Sequence, residues 1–164
     1  MNYDDTRGIG SMIPDDLAKA NAFFSSAHPL FSHMGISVVS ARNGTAEMMM
    51  PFNGELTDED GAMHTGAIVT LLDTTCGLAV FSALDSMQPI ATIDLRIDVV
   101  RPVPAGQGVR AVVVCEAIRD CVAYISGKAY SEAGQEPLVI ACGSFATNTM
   151  GPAFDTANMQ RASS

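Results

Sequence analysis

The chain has 164 residues, 48% of them hydrophobic and 16% charged, and a net charge of −9 at pH 7. Length and composition suit one compact domain with a core of its own and exclude a disordered chain. The acidic balance argues against nucleic acid as a partner, because phosphate binding needs a basic footprint.

Residues 1–13 read as a loose arm. Pro14-Asp15-Asp16 opens a helix, since Pro suits the first turn and acids complement the positive end of the helix dipole. Leu17, Ala20, Phe23 and Phe24 give that helix an apolar side as far as His28-Pro29. The stretch 28–33 is a turn or a short helical piece. Residues 34–40 and 45–52 read as strands joined by an Asn43-Gly44 hairpin turn. Residues 53–61 form an acidic loop.

From Thr65 to Leu84 the chain carries one charge, Asp73, and no Pro. That length makes more than five turns of helix. Gly66, Thr70, Asp73 and Gly77 recur at helical spacing and line one side as a small, polar stripe. The remaining surface is Ile68, Val69, Leu71, Leu72, Cys76, Leu78, Val80 and Phe81. A helix apolar nearly all round is a buried one. Gly77 costs about 1 kcal/mol against Ala in a helix interior, and such a position lets a ligand or another backbone come close. Twenty mostly apolar residues could also cross a bilayer. A carboxylate at the midpoint, several hydroxyls and flanks without Lys or Arg oppose that reading, so no membrane is expected.

From Ile90 the period changes to two. Ile93, Leu95, Ile97 and Val99 alternate with Thr92, Asp94, Arg96 and Asp98, the pattern of a half-buried strand. Residues 101–108 are turn-rich, and strands follow over 109–118, 121–131 and 138–147. These four strands are expected to run as an antiparallel meander. The expected division is an arm and short helix over 1–30, a domain over 31–148 and a disordered tail over 149–164. Strands around one long helix give an α+β fold with the helix packed on one face of the sheet.

Cys76, Cys115, Cys121 and Cys142 show no C-x-x-C spacing, which fits free thiols in a reducing compartment. With no basic and apolar leader pattern at the first residues, a cytoplasmic location is expected. His28 and His33 have no Cys or acid at ligand spacing, so no metal site is expected. Arg96, Arg101, Arg110, Arg119 and Lys128 gather in the second half. They are either contacts for an anionic ligand or solvated faces.

This order of elements, with His64-Thr65-Gly66 opening the helix and an acid nine residues after the His, resembles the hotdog-fold acyl-CoA thioesterases, in particular the phenylacetate-pathway (PaaI-like) branch. The likeness runs over about residues 33–146. It implies an antiparallel sheet wrapped around the central helix, a catalytic acid at Asp73, and a helix start at His64, Thr65 and Gly66 where the family has His-Gly-Gly. The family's strand after the helix is matched by Thr92-Ile-Asp-Leu-Arg-Ile-Asp-Val-Val-Arg-Pro102. Thr92 falls where some members have a Ser or Thr that helps hold the attacking water. Asp58 falls where some relatives have an Asn near the substrate carbonyl, a departure from the pattern, as is Thr65. The resemblance further implies an acyl-CoA substrate, no cofactor beyond the coenzyme A of that substrate, and homodimers with shared sites that pair into a dimer of dimers.

The residues themselves fit that chemistry. Free N–H groups and the positive dipole end at Thr65 and Gly66 can polarise a thioester carbonyl. Asp73 can act as general base or as nucleophile. Gly66 and Asp73 are seven residues apart, about 10.5 Å along a helix. Both must reach one small reacting group, so a site built from two antiparallel helices of a dimer is expected. Thr70 and Gly77 share the stripe and are expected to line the substrate, with Arg101 a candidate for the coenzyme A phosphates. Competing readings are a structural Asp73, a non-catalytic acyl-CoA-binding module, and a hotdog hydratase. The last needs an Asp/His pair in a Gly-Asp-x-Asn-Pro-like segment, which the chain lacks.

Overall fold

A computed structural model describes residues 21–22, 28–86 and 88–149. The helix expected from Pro14 and the tail expected to residue 164 lie largely outside these. The described elements are helix α1 (Pro29–Met34), strands β1 (Ser37–Arg42) and β2 (Thr45–Met50), a 3-10 turn (Gly54–Leu56), helix α2 (Thr65–Ala83), and strands β3 (Ile90–Val99), β4 (Val109–Arg119), β5 (Val122–Ser131) and β6 (Pro137–Thr147).

The six strands form one antiparallel sheet in the order β1-β2-β4-β5-β6-β3. The expected four-strand meander is therefore corrected: only β4, β5 and β6 run as one. β3 does not pair with β4 but lies at the far edge against β6. The connection from β3 to β4 holds Pro102 and Pro104 and is too long for a tight hairpin. It carries the chain across the sheet instead. Two true hairpins do sit on left-handed residues: Asn43 and Gly44 (φ 49° and 78°), and Asp120 and Cys121 (φ 50° and 64°). That backbone matches the twist of paired strands.

The concave face of the sheet receives α2. Ile68, Leu71, Leu72, Cys76, Ala79 and Val80 are buried on the helix, and Met48, Met50, Val109, Val113 and Val139 are buried on the sheet. By length and composition α2 could cross a membrane, but these side chains pack against strands. The N–H of Gly44 donates to Ser82 Oγ (3.0 Å), tying the first hairpin to the last turn of α2. The helix packs mainly on β2, β4 and β5 and touches β1, β3 and β6 less. The inner face of β3 is consequently only partly covered: Leu95 and Ile97 pack against the core, whereas Val99 is half exposed at 49%. Gly143 of β6 permits the tight β3–β6 pairing, because a Cβ there would overlap the carbonyl oxygen of Asp94.

Candidate active site

The start of α2 is built by His64. Its N–H donates to the carbonyl of Leu56 (2.8 Å), which pins the 3-10 turn to the helix. Its ring Nδ1 accepts the N–H of Gly66 (3.0 Å), an N-cap made by an imidazole. A neutral ring accepting at Nδ1 carries its proton on Nε2. A Cβ on residue 66 would lie 3.1 Å from that Nδ1, so Gly66 is small to accommodate the ring. The two amides expected at the helix start are thus unequal. Gly66 N–H is taken by His64, whereas Thr65 N–H meets no acceptor among the described residues.

Further along the stripe, the Thr70 hydroxyl donates to the carbonyl of Gly66 (3.0 Å), and that of Thr74 to Thr70 (2.7 Å). Such bonds turn threonine hydroxyls back onto their own helix. Asp73 is half-buried. Its Oδ1 accepts the hydroxyl of Thr92 (3.0 Å), and Oδ2 has no partner among the described residues. Strict alternation would put Thr92 on one face of β3 with Asp94 and Arg96. A β-bulge between Thr92 and Asp94 shifts the register instead: Thr92 lies opposite Phe145, and Asp94 opposite Ser144. Thr92 therefore shares the inner face with buried Phe145, while Asp94 bonds the Ser144 hydroxyl on the other. One turn beyond Asp73, a Cβ on Gly77 would meet only the Ile90 side chain, at an ordinary 3.6 Å. Among the described residues no backbone from another element comes close there.

Other expected contacts are engaged elsewhere. Asp58 Oδ1 accepts the N–H groups of Asp60 and Ala62, both at 3.0 Å, so one carboxylate oxygen shapes its own loop. Arg101 pairs with Glu136. Arg96 pairs with Asp98 (3.1 Å), and Arg119 lies 4.0 Å from Asp120. Arg110 pairs with Glu47 (3.3 Å) and lies over the Tyr130 ring at 4.8 Å. Burial, and then the charge of Asp73, push the Cys76 thiol up to about 12. Among the described residues no three His, Cys, Asp or Glu side chains are placed to hold a metal ion.

A cavity of about 380 Å³ opens between α1, the 3-10 turn and the first turns of α2. Leu30, Met34 and Leu56 line one side, and His64, Gly66 and Thr70 the other. Sequence reasoning did not single out Leu30, Met34 or Leu56. The four-residue spacing of Leu30 and Met34 was the available signal, but what faces them is set by distant parts of the chain.

Comparison with known proteins shows what this chain is similar to. The thioesterase superfamily's sequence model matches residues 60–138, from just before α2 into β6. A Halobacterium salinarum protein named provisionally as an esterase is 38% identical over 93 residues, 54% of this chain and 62% of that protein. The match thus spans about three fifths of that relative's length. The structure of a Haemophilus influenzae thioesterase superposes with a TM-score of 0.72 at 20% identity, over 84% of this chain and 94% of that one. The E. coli PaaI protein from the phenylacetic acid degradation operon does so with a TM-score of 0.68 at 18% identity, over 84% and 97%. The chain has the hotdog fold that these structures share, and its residues 60–138 are similar to the thioesterase superfamily.

Proposed function

We propose that this protein hydrolyses acyl-CoA thioesters to a free acid and coenzyme A, with Asp73 as the reacting carboxylate. The observation that carries this reading is the Asp73–Thr92 hydrogen bond (3.0 Å). It joins the single charge of α2 to a hydroxyl on a neighbouring strand and leaves the second carboxylate oxygen open. In the general-base form, a water held by Asp73 Oδ2 and Thr92 gives a proton to the carboxylate as its oxygen attacks the carbonyl carbon. The carbonyl oxygen takes up negative charge facing the Thr65 amide at the positive helix end. Collapse breaks the C–S bond, and the thiolate leaves. A thiol pKa near 8.5 makes a strong general acid dispensable. In the nucleophilic form, Asp73 attacks directly and water cleaves the resulting anhydride.

The Thr65 amide and Asp73 lie too far apart along one helix to meet at one carbonyl, eight residues or about 12 Å. We therefore assign each site to two chains of a homodimer, with Asp73 supplied by the partner. The β3 edge, unpaired among the described residues and with Ile93 more than half exposed, offers the surface for that pairing, and Gly77 leaves room for a facing helix. Two such dimers pair into a dimer of dimers. Arg101 holds coenzyme A phosphate in exchange for Glu136, since exposed ion pairs of this kind are worth only about 0–1 kcal/mol. No cofactor is required, and free thiols at all four described cysteines suit the cytoplasm.

Asp73→Asn keeps the side-chain size and removes the function. Turnover of an acyl-CoA panel should fall by about a hundredfold or more, the scale of general-base loss, with binding retained. An Asp73→Asn protein that turns over at the parent rate makes the carboxylate structural and ends this mechanism. A second reading, an acyl-CoA-binding module without turnover, draws on the Gly66 amide being already satisfied by His64. It expects binding without hydrolysis in the parent protein too.

A further inference from the structure

We infer that the cavity between α1 and the start of α2 is the acyl pocket and that it selects uncharged acyl groups, with Met34 setting its depth; this rests on the thioesterase reading. The cavity meets the catalytic stripe at Gly66 and Thr70, so an acyl chain whose carbonyl sits at the helix start enters it directly. At about 380 Å³ it is near the small end of ligand pockets, roughly 300–1,000 Å³. It holds an acyl group and leaves coenzyme A outside.

Its walls state the selectivity. Leu30 and Met34 are four residues apart on α1 and so project from one face. Leu30 is 54% exposed and stands at the mouth, while Met34 is 3% exposed and forms the floor. Leu56 completes an apolar lining. Among the described residues, none lining the cavity is Lys or Arg. Its one acidic residue is Glu55, whose carboxylate lies 3.7 Å from His33 Nε2. The Asn53 amide, donating to the carbonyl of His33 (3.3 Å), ties the same two walls together. An acyl group ending in a carboxylate would leave water for apolar side chains, with no Lys or Arg to meet it and an acid at the entrance. A hydrocarbon or aromatic end meets no such opposition.

Hexanoyl-CoA and adipoyl-CoA share a six-carbon acyl chain and differ by the terminal carboxylate, so their ratio reads the pocket. In the full-length parent, kcat/KM for hexanoyl-CoA should exceed that for adipoyl-CoA by at least tenfold. Leu30→Arg, a change at an exposed position, should narrow that ratio at least fivefold. Met34→Ala should move the preferred linear chain to greater length and Met34→Phe to shorter, each judged on protein whose melting transition is intact. Near-equal use of the two six-carbon substrates by the parent overturns the inference, as does an unaltered length preference in both Met34 variants. Equilibrium binding of the same thioesters is measured alongside. A parent that hydrolyses none of them but binds hexanoyl-CoA preferentially refutes the hydrolase reading and retains the pocket. Binding without preference removes the pocket.

Discussion

Gly66 serves α2 as much by the side chain it lacks as by the amide it offers. Its N–H is capped by an imidazole that a Cβ would crowd. Gly66→Ala should therefore displace His64, at a cost of about 1 kcal/mol for the lost cap, and lower kcat by misaligning the Thr65 amide. His64→Asn keeps a short acceptor at the N-cap and should retain most of the melting temperature, while His64→Ala should not. Equal melting temperatures and turnover in those two variants would dismiss the cap. Cys76 offers a pH test. Its thiol is raised from 9.0 to about 12 by burial first and Asp73 second. Between those pH values the unfolded chain gives up this proton and the folded chain keeps it, so its contribution, intact below pH 9, is lost on going alkaline. The slope is about 1.4 kcal/mol per pH unit. In Cys76→Ala that alkaline slope should flatten in denaturant titrations at successive pH values, and an unchanged slope would refute the assignment. The helix start and Asp73 were visible in the sequence because one charge in twenty mostly apolar residues is a local signal. That His64 would occupy the Gly66 amide was not, since it depends on a ring rotamer.

At the level of elements, local signals located α2 and most strands closely, although Met34, expected to open the first strand, ends α1 instead, and long-range pairing was what they could not convey. The stretch 90–99 reads as a strand from its own alternation, yet nothing in it says whether β4 or β6 will be its neighbour. The β3–β6 contact depends on Gly143, on the other side of the pair. Gly143→Ala should push the strands apart at Asp94–Leu95 and destabilise the fold by about 1–3 kcal/mol, as overpacking does. Hydrogen exchange should show the loss concentrated in the amides of β3 and β6, and uniform or absent loss would contradict the close approach. The cavity was illegible for the same reason. Its walls come from α1, the 3-10 turn and α2, and only the folded chain brings them together.

On the scale of the whole molecule, one chain has an open sheet edge at β3 and an uncrowded helix position at Gly77, and the proposed dimer fills both. Hybrids of Asp73→Asn chains with Gly66→Ala chains should be more active than either parent, because one of their two sites combines intact halves. With mixing verified, hybrids as inactive as the parents would place each site within a single chain. Ile93→Lys, at a 56% exposed edge position, should shift sedimentation toward the single chain and reduce turnover together. Loss of the dimer at full turnover would separate assembly from catalysis.

The bulge at β3 has an evolutionary consequence. With one residue more on β3 than on the facing stretch of β6, the hydroxyl at 92 and the carboxylate at 94 are sent to opposite sides. Deleting Ile93 would remove the extra residue and leave Thr92 opposite Phe145 and Asp94 opposite Ser144 in an unbroken ladder, each on its present face. A residue lost from the regular part of the strand would instead send side chains to the wrong face, and no point substitution could restore them, because the fault would lie in the count of residues. Lineages descending through this strand are thus free to shed a residue at the bulge and held to a fixed length beyond it, and a scan of single-residue deletions along β3 should find turnover best retained at Ile93.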